Sequence, residues 1–204
     1  MFIQILKERG LKSLINEIVD NYFYDIFNNV ETSKRVGKST KLYTYYGPTY
    51  YSVIKESFQY IQNRNQLNLI DVGCGKGKVL FVALNFGFKS IIGIDIKKNL
   101  LVTCVKNINK NKKLKKNKEF IKLININAIK YKISNENVFF LNHPFSEIIL
   151  NKFLKKIILS FRKNKRKIYL IYVNPLEKNK ILIKQFKKIK TIYRNTYITN
   201  IYRL

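Results

Sequence analysis

The sequence predicts an α/β fold, a doubly wound and mostly parallel seven-stranded sheet with helices on both faces, and three observations carry that prediction. Short apolar runs bounded by turn residues alternate, from Tyr50 onwards, with longer segments of helical periodicity. That order builds sheets covered by crossover helices. The stretch Leu67 to Val82 passes from an apolar run through Asp71 into glycines at 73, 75 and 77, then resumes with helical spacing. It reads as strand, tight turn and helix: glycine admits φ > 0 and lets a ligand approach without meeting a Cβ, and the helix start offers unpaired N–H groups. The third observation is Ser90 to Asp95, a buried strand whose acid lies about twenty residues past the glycines, where a nucleotide-binding βαβ unit places a carboxylate for ribose hydroxyls.

Composition bounds the rest. At 204 residues the chain forms one domain with a real core. Forty basic residues against twelve acidic ones give a net charge of +28, which invites a nucleic acid or an anionic surface as partner. The lysines spread along the whole length, beside an excess of Asn and Ile and few Ala, Gly and Trp, as AT-rich coding sequence also produces. Charge alone therefore does not choose a partner. Of only four aspartates, Asp71 and Asp95 both fall at nucleotide-site positions. Cys74 and Cys104 make neither a disulfide framework nor a metal cluster, which fits a reducing cytoplasm, and no metal is expected. With charges at Lys7, Glu8 and Arg9 and no sustained apolar core, the N-terminal stretch is not expected to be a signal peptide. No stretch is long and apolar enough to span a bilayer.

Taken in order, residues 2–28 carry Ile5, Leu6, Leu14, Ile15, Ile18, Val19, Tyr22, Phe23 and Ile26 at helical spacing with a break at Gly10, predicting one or two amphipathic helices packed on the domain. A polar loop follows to Lys41, so residues 1–41 form an N-terminal extension and 42–204 the main domain. Thr49 is placed to cap a helix over 50–62, whose stripe is Val53, Ile54, Phe58 and Ile61. Helices are predicted over 77–87 and 97–109, the second burying Leu100, Leu101, Cys104, Val105 and Ile108. Lys110 to Lys118, six lysines in nine residues, reads as a solvated loop. Strands are predicted over 120–128 and 138–145, a helix over 147–161, and a strand over 167–173. Asn174-Pro175 turns into a helix over 176–187, and strands over 189–194 and 197–202 close the chain around a turn near Asn195.

The Gly-x-Gly-x-Gly turn, with Asp71 before it and Asp95 after it, resembles the first motif of the class I (Rossmann-like, seven-strand) S-adenosylmethionine-dependent methyltransferases. The dinucleotide fingerprint would need glycine at 78, where Lys78 stands. Tyr46-Gly47-Pro48-Thr49 resembles the Tyr-x-x-Thr box of the non-SET histone-lysine methyltransferases and of related small prokaryotic members, in which it lies over the methionine end of the cofactor. Asn127-Ala128 resembles the Asp-Ala pair that class I enzymes set beside the adenine. Asn142-His143-Pro144-Phe145 resembles the Asn-Pro-Pro-Phe/Tyr motif of amino-group methyltransferases, with His143 in place of the first proline. The resemblance covers roughly residues 42–204 and implies a sheet with its C-terminal strand inserted antiparallel.

What the resemblance implies is S-adenosyl-L-methionine as cofactor, held by Tyr46, Thr49, Asp71, Gly73, Cys74, Gly75, Gly77, Asp95, Ile96, Asn127, Ala128 and Asn142, with Asp95 accepting from both ribose hydroxyls. It implies a catalytic set of Asn142, His143, Pro144 and Phe145. Methyl transfer is an in-line displacement that needs a neutral nitrogen with its lone pair facing the sulfonium carbon. An amide oxygen and a backbone carbonyl can accept the amine's hydrogens, and the ring at 145 can stack on a planar acceptor or shield a cation. His143, the single histidine, suits a general base for an oxygen acceptor. The expected reaction is N-methylation of a protein lysine. The alternatives are an adenine N-methyltransferase on RNA or DNA, an O-methyltransferase on a small molecule or saccharide, and a non-enzymatic nucleic-acid-binding module, against which the intact glycines and Asp95 argue.

Overall fold

The computed structural model describes residue 11 and residues 14–16, 18–175, 184–194 and 197–204. Seven strands form one sheet: β1 (Asn68–Val72), β2 (Ser90–Asp95), β3 (Ile121–Asn125), β4 (Val138–Asn142), β5 (Tyr169–Val173), β6 (Lys187–Arg194) and β7 (Tyr197–Arg203). Their order is β3-β2-β1-β4-β5-β7-β6. The first five run parallel, and β7 is antiparallel to both β5 and β6. The order reverses between β1 and β4, so the crevice beyond their carboxyl ends is where such a sheet binds ligands.

Strand alternation divides the core. Leu69, Ile91, Phe140 and Ile171 face one layer, made with α2 (Tyr51–Gln59), α3 (Lys78–Asn85) and α4 (Lys98–Lys110). Ile70, Ile94, Phe139 and Leu170 face the other, under α6 (Glu147–Lys163). Because both faces are covered, β4 and β5 read as continuous apolar runs rather than alternating ones. Phe58 anchors the first layer, fully buried with the rings of Phe86, Phe88 and Phe140 tilted edge-on at 5.0–6.0 Å. Truncating it to Ala removes about 3–5 kcal/mol of stability.

Several elements differ from the sequence expectation. The segment 18–28 is a π-helical stretch, Ile18–Phe23, continued by α1 (Tyr24–Asn28). Its inward side is polar: Asp20, Asn21 and Tyr24 are buried, while Ile15, Val19, Phe23 and Ile26 are exposed. Hydrogen bonding overrides the apolar stripe, since the Asp20 carboxylate accepts from Ser52 N–H (2.7 Å) and Oγ–H (2.8 Å). The expected helices over residues 2–10 lie outside the described residues.

Helix α2 starts at Tyr51, one residue later than expected, so Tyr50 and not Thr49 holds the cap position and no side chain caps the helix; the Thr49 hydroxyl accepts from Asn142 instead. The lysine run is not a loop throughout. It holds α5 (Lys112–Lys116), whose first turn is capped by the Asn111 side chain accepting from Leu114 N–H (2.9 Å), with Leu114 buried. Strand β3 ends at Asn125, whose side-chain amide donates to the Asp95 and Ile96 carbonyls; Ile126 N–H makes the last bond to β2, to the Asp95 carbonyl (3.0 Å), and 127–128 turn away. Of the helix expected over 176–187, residues 176–183 lie outside the described residues, and β6 begins at Lys187. The turn at 195–196 lies outside them too.

Candidate active site

The site begins where β1 ends. Gly73, Gly75 and Gly77 all have positive φ, and the loop is pinned to β2 by Gly73 N–H and Cys74 N–H, which both donate to the Ile94 carbonyl (2.9 and 3.0 Å). Two of the glycines are sterically required. A Cβ on Gly75 would lie 2.2 Å from the Tyr46 ring, and one on Gly77 2.5 Å from Cys104 Sγ. Burial, reinforced by the Asp71 charge, pushes the Cys74 thiol up, and the same causes push Cys104 up to about 12. Neither cysteine is a nucleophile here.

Two carboxylates face the loop. Asp95 Oδ2 accepts from Gly75 N–H (2.9 Å) and Oδ1 from Lys97 N–H (2.8 Å). Asp95 thereby holds the glycine loop and the start of α4 together, with one lone pair on each oxygen left for a ligand. Burial raises its pKa against the opposing pull of those two bonds. Asp71 is buried, 4% exposed, with no hydrogen-bond partner among the described residues. Burial and the charge of Asp95 push its carboxyl well above the usual carboxylate range.

The opposite wall is the segment 42–49, strapped to the exit of β4. Thr44 Oγ1–H donates to the His143 carbonyl (2.9 Å), Ser146 N–H donates to the Leu42 carbonyl (2.9 Å), and Tyr43 bridges Phe145. Tyr46 lies against Gly75 with its hydroxyl donating to the Thr32 carbonyl (2.7 Å). Asn142 Nδ2–H donates to Thr49 Oγ1 (2.8 Å), which fixes the amide and leaves Oδ1 without a partner among the described residues.

These walls flank an open cleft lined by Tyr46, Thr49, Asp71, Gly73, Cys74, Asp95, Ile96, Ala128, Asn142, Pro144 and Phe145 among others. A second cavity of about 700 Å³ opens beside it, lined by Arg35, Thr44, Tyr45, Pro48, Asn142, His143, Asn174 and Tyr197 among others. Asn142 lines both. Of the residues expected to hold a cofactor, Gly75 and Gly77 shape the loop without lining the cleft. Asn127 does not line it either: its amide donates to Tyr43 Oη (2.9 Å), and its Oδ1 accepts from Ile129 N–H (3.0 Å). Phe145 packs against Tyr43 and Phe153 on the cofactor side and does not line the second cavity.

His143 lines only the second cavity. Its Nδ1 lies 3.0 Å from the Asn174 carbonyl. A carbonyl only accepts, so Nδ1 carries the proton and Nε2 presents a lone pair. Both residues sit in the left-handed region, His143 at φ 41° and Asn174 at φ 51°, a conformation held at about 1 kcal/mol or more where the residue is not glycine.

Sequence reasoning missed the outer supports. Lys76 and Lys78, 2% and 3% exposed, reach from the glycine loop to the N-terminal segment. Lys76 pairs with Glu31 (2.7 Å), holding that carboxyl below its usual range, and Lys78 donates to Asn21 Oδ1 (2.6 Å) and stacks on Tyr24. Asn107 ties Glu31 to the Lys76 carbonyl. Polar residues amid an otherwise apolar helical pattern were the available signal.

S-Adenosylmethionine fits this cleft. It carries a sulfonium and an ammonium, and Asp71 is a buried carboxylate lacking a partner in the cleft wall, so a cation relieves both its burial and its repulsion from Asp95. Its ribose is a diol, and Asp95 stands at the end of β2 with acceptor capacity in hand.

Comparison with known proteins agrees. A family model described as a methyltransferase domain matches residues 63–202. No curated protein matches the sequence. Among solved structures, the chain is similar to a ribosomal protein L11 methylase from Lactobacillus delbrueckii subsp. bulgaricus (14% identity, 76% of this chain and 79% of that one, TM-score 0.59). It is similar also to an RNA methyltransferase from Salinibacter ruber in complex with S-adenosyl-L-homocysteine (15% identity, 76% and 92%, TM-score 0.58), and to a SAM-dependent methyltransferase from Aquifex aeolicus (14% identity, 74% and 88%, TM-score 0.54). At these identities the likeness is one of fold. The sheet order, the glycine loop between two acids and the match over residues 63–202 lead to one conclusion: the chain belongs to the methyltransferase domain family and is a class I, S-adenosylmethionine-dependent methyltransferase.

Proposed function

We propose that the enzyme methylates a nitrogen, the side-chain amine of a protein lysine. The observation that carries this reading is the hydrogen bond from Asn142 to Thr49, where the Asn142 amide stands in the wall that both cavities share with Thr44, Tyr45, Gly47 and Pro48. With one Nδ2–H bonded to Thr49 the Asn142 amide is held in orientation, its Oδ1 is available to the acceptor, and an amine supplies the N–H that oxygen needs. The rings of Tyr45 and Tyr197 and the side chains of Pro48 and Ile198 give the second cavity apolar walls, suited to a methylene chain. A lysine arrives as an ammonium and must lose a proton before its lone pair can react. His143 Nε2, in the same cavity, is placed to take it. The cofactor, when bound, supplies an electrophilic methyl group.

Domain-wise, residues 1–41 are an extension whose Asn21, Tyr24 and Glu31 buttress the glycine loop through Lys76 and Lys78, and 42–204 are the transferase proper. Nucleic acid is the second reading, raised by the net charge of +28 and by the similar fold named as an RNA methyltransferase; another similar fold is named for a ribosomal protein. Arg35 is the only cation among the described residues that line the second cavity, a sparse setting for a phosphate backbone. Incubation with methyl-labelled cofactor and a desalted lysate decides between them. Label removed by protease and not by ribonuclease supports the lysine reading; ribonuclease-sensitive label overturns it.

A further inference from the structure

The N-terminal segment turns an apolar face outward that nothing among the described residues covers. Leu11, Ile15, Val19, Phe23 and Phe27 follow at four-residue intervals, with Ile26 beside them, and they range from 45% exposed at Phe23 to 83% at Phe27. Phe23 and Phe27 lie ring to ring at 6.1 Å on the surface. Single exposed apolar residues are ordinary, whereas a contiguous row of them marks an interaction surface. The row cannot simply roll inward, because the other side of the segment is anchored by Asp20 on Ser52 and by Asn21 on Lys78.

Charge around the row is one-sided. The described acids of this region are turned away from solvent or neutralised: Asp20 binds Ser52, Asp25 accepts from Thr32 and Ser33, and Glu31 pairs with Lys76. At the end of the row lies the lysine-rich helix. Asn111 Nδ2–H donates to the Asn28 carbonyl (2.6 Å), and Asn29 Nδ2–H donates to the Lys110 carbonyl (3.2 Å). The side chains of Lys110, Lys112, Lys113, Lys115 and Lys116 are all exposed there, with Leu114 alone turned in. The sequence read these lysines and the apolar row separately; the fold puts them side by side.

We propose that this face docks the enzyme on an anionic lipid surface, the apolar row entering the boundary between headgroups and acyl chains and the lysines of α5 meeting the lipid phosphates. A basic amphipathic helix with large apolar residues on its other face lies in the plane of a membrane in this way. Nucleic acid complements the lysines but offers no apolar layer for six side chains. A protein partner would need a groove matching a convex helix with a cationic flank. No helix among the described residues is long and apolar enough to cross a membrane, so the association is peripheral.

The test is co-sedimentation of the full chain with vesicles of phosphatidylcholine alone and of phosphatidylcholine with roughly 30% phosphatidylserine, at near-physiological salt. Binding to the second and not the first is expected. Phe23→Ser with Phe27→Ser should weaken it about tenfold or more. Lys112→Gln, Lys113→Gln, Lys115→Gln and Lys116→Gln should weaken it by up to about fivefold per lysine, with added salt doing the same. Circular dichroism and activity on a soluble acceptor should be unchanged in both variants. No binding to the anionic vesicles overturns the proposal. So does binding that the phenylalanine changes leave intact, which is adsorption of a cationic protein by charge alone. If ultracentrifugation shows a dimer that Phe23→Ser with Phe27→Ser dissociates, the row is a self-interface and the proposal is likewise overturned.

Discussion

Replacing Asp71 by Asn should stabilise the ligand-free protein while weakening its hold on the cofactor. Asp71 is 4% exposed, has no hydrogen-bond partner among the described residues and stands near Asp95. Burial first, and Asp95 second, raise its carboxyl pKa in the folded protein. The folded state therefore binds that proton more tightly than the unfolded chain does. The sign follows: this contribution to stability is fully present below the unfolded value, near 3.9, and is lost as pH rises through the folded value.

An amide of the same shape has no such loss. A buried polar group without a partner costs about 1–3 kcal/mol, and a charged one more; the amide keeps part of that cost. The gain from Asp71→Asn at neutral pH is then on the order of 1–2 kcal/mol. Charged hydrogen bonds contribute about 1.5–3 kcal/mol, so losing the countercharge should weaken S-adenosylmethionine about tenfold or more. Urea unfolding without ligand between about pH 5 and pH 8, with calorimetric titration of the cofactor, measures both. A variant less stable than wild type at neutral pH, or one that binds cofactor equally well, refutes the reasoning.

Other predictions rest on other contacts. Gly75→Ala forces a Cβ to within 2.2 Å of the Tyr46 ring at positive φ, and should destabilise by about 2–4 kcal/mol from backbone strain and the displaced Tyr46 hydroxyl, read by thermal or urea unfolding. Thr49→Val frees the Asn142 amide to rotate and should lower kcat about ten- to a hundredfold with the cofactor Kd nearly unchanged. His143 is the only histidine, so ¹⁵N-histidine NMR of the free protein reads its tautomer directly. A protonated Nδ1 is expected, kept in Asn174→Gly and lost in Asn174→Val, where a β-branched side chain opposes positive φ. With a lysine acceptor, His143→Gln should turn the plateau of wild-type rate against pH into a rise of about tenfold per pH unit until the ammonium titrates near 10.4. An identical profile in both proteins would remove the base role.

The parallel half of the fold was legible in the sequence because its strands are covered on both faces. Runs such as Ile70-Asp71-Val72 and Val138 to Leu141 have no other use, and the glycines between Asp71 and Asp95 fixed the first crossover. Elements set by single polar contacts were not legible. Leu114 among lysines is one apolar residue in five, too few to betray a helix that an Asn111 cap starts. The stripe Ile15, Val19, Phe23, Ile26 has helical spacing and was read as a core face; Asp20 and Asn21 reverse it by bonding Ser52 and Lys78.

In the site, motif residues at strand ends emerged in place, since Asp71, Asp95 and Asn142 are positioned by the sheet register itself. Roles depending on contacts distant in sequence did not. Thr49 serves Asn142 rather than a helix start, Asn127 is spent on Tyr43 and its own turn, and the orienting carbonyl of Asn174 lies 31 residues from His143.

The central claim is that cofactor and acceptor cavities meet at Asn142, and Asn142→Ala measured for cofactor affinity and single-turnover rate tests it most directly. The only hydrogen bond of this amide among the described residues is to Thr49, and none joins it to Asp71, the glycine loop or Asp95. The account predicts a loss of about a hundredfold in methyl-transfer rate with the S-adenosylmethionine Kd shifted by no more than about threefold, under 1 kcal/mol. Full turnover in the variant, or a cofactor affinity that collapses along with the rate, would contradict it.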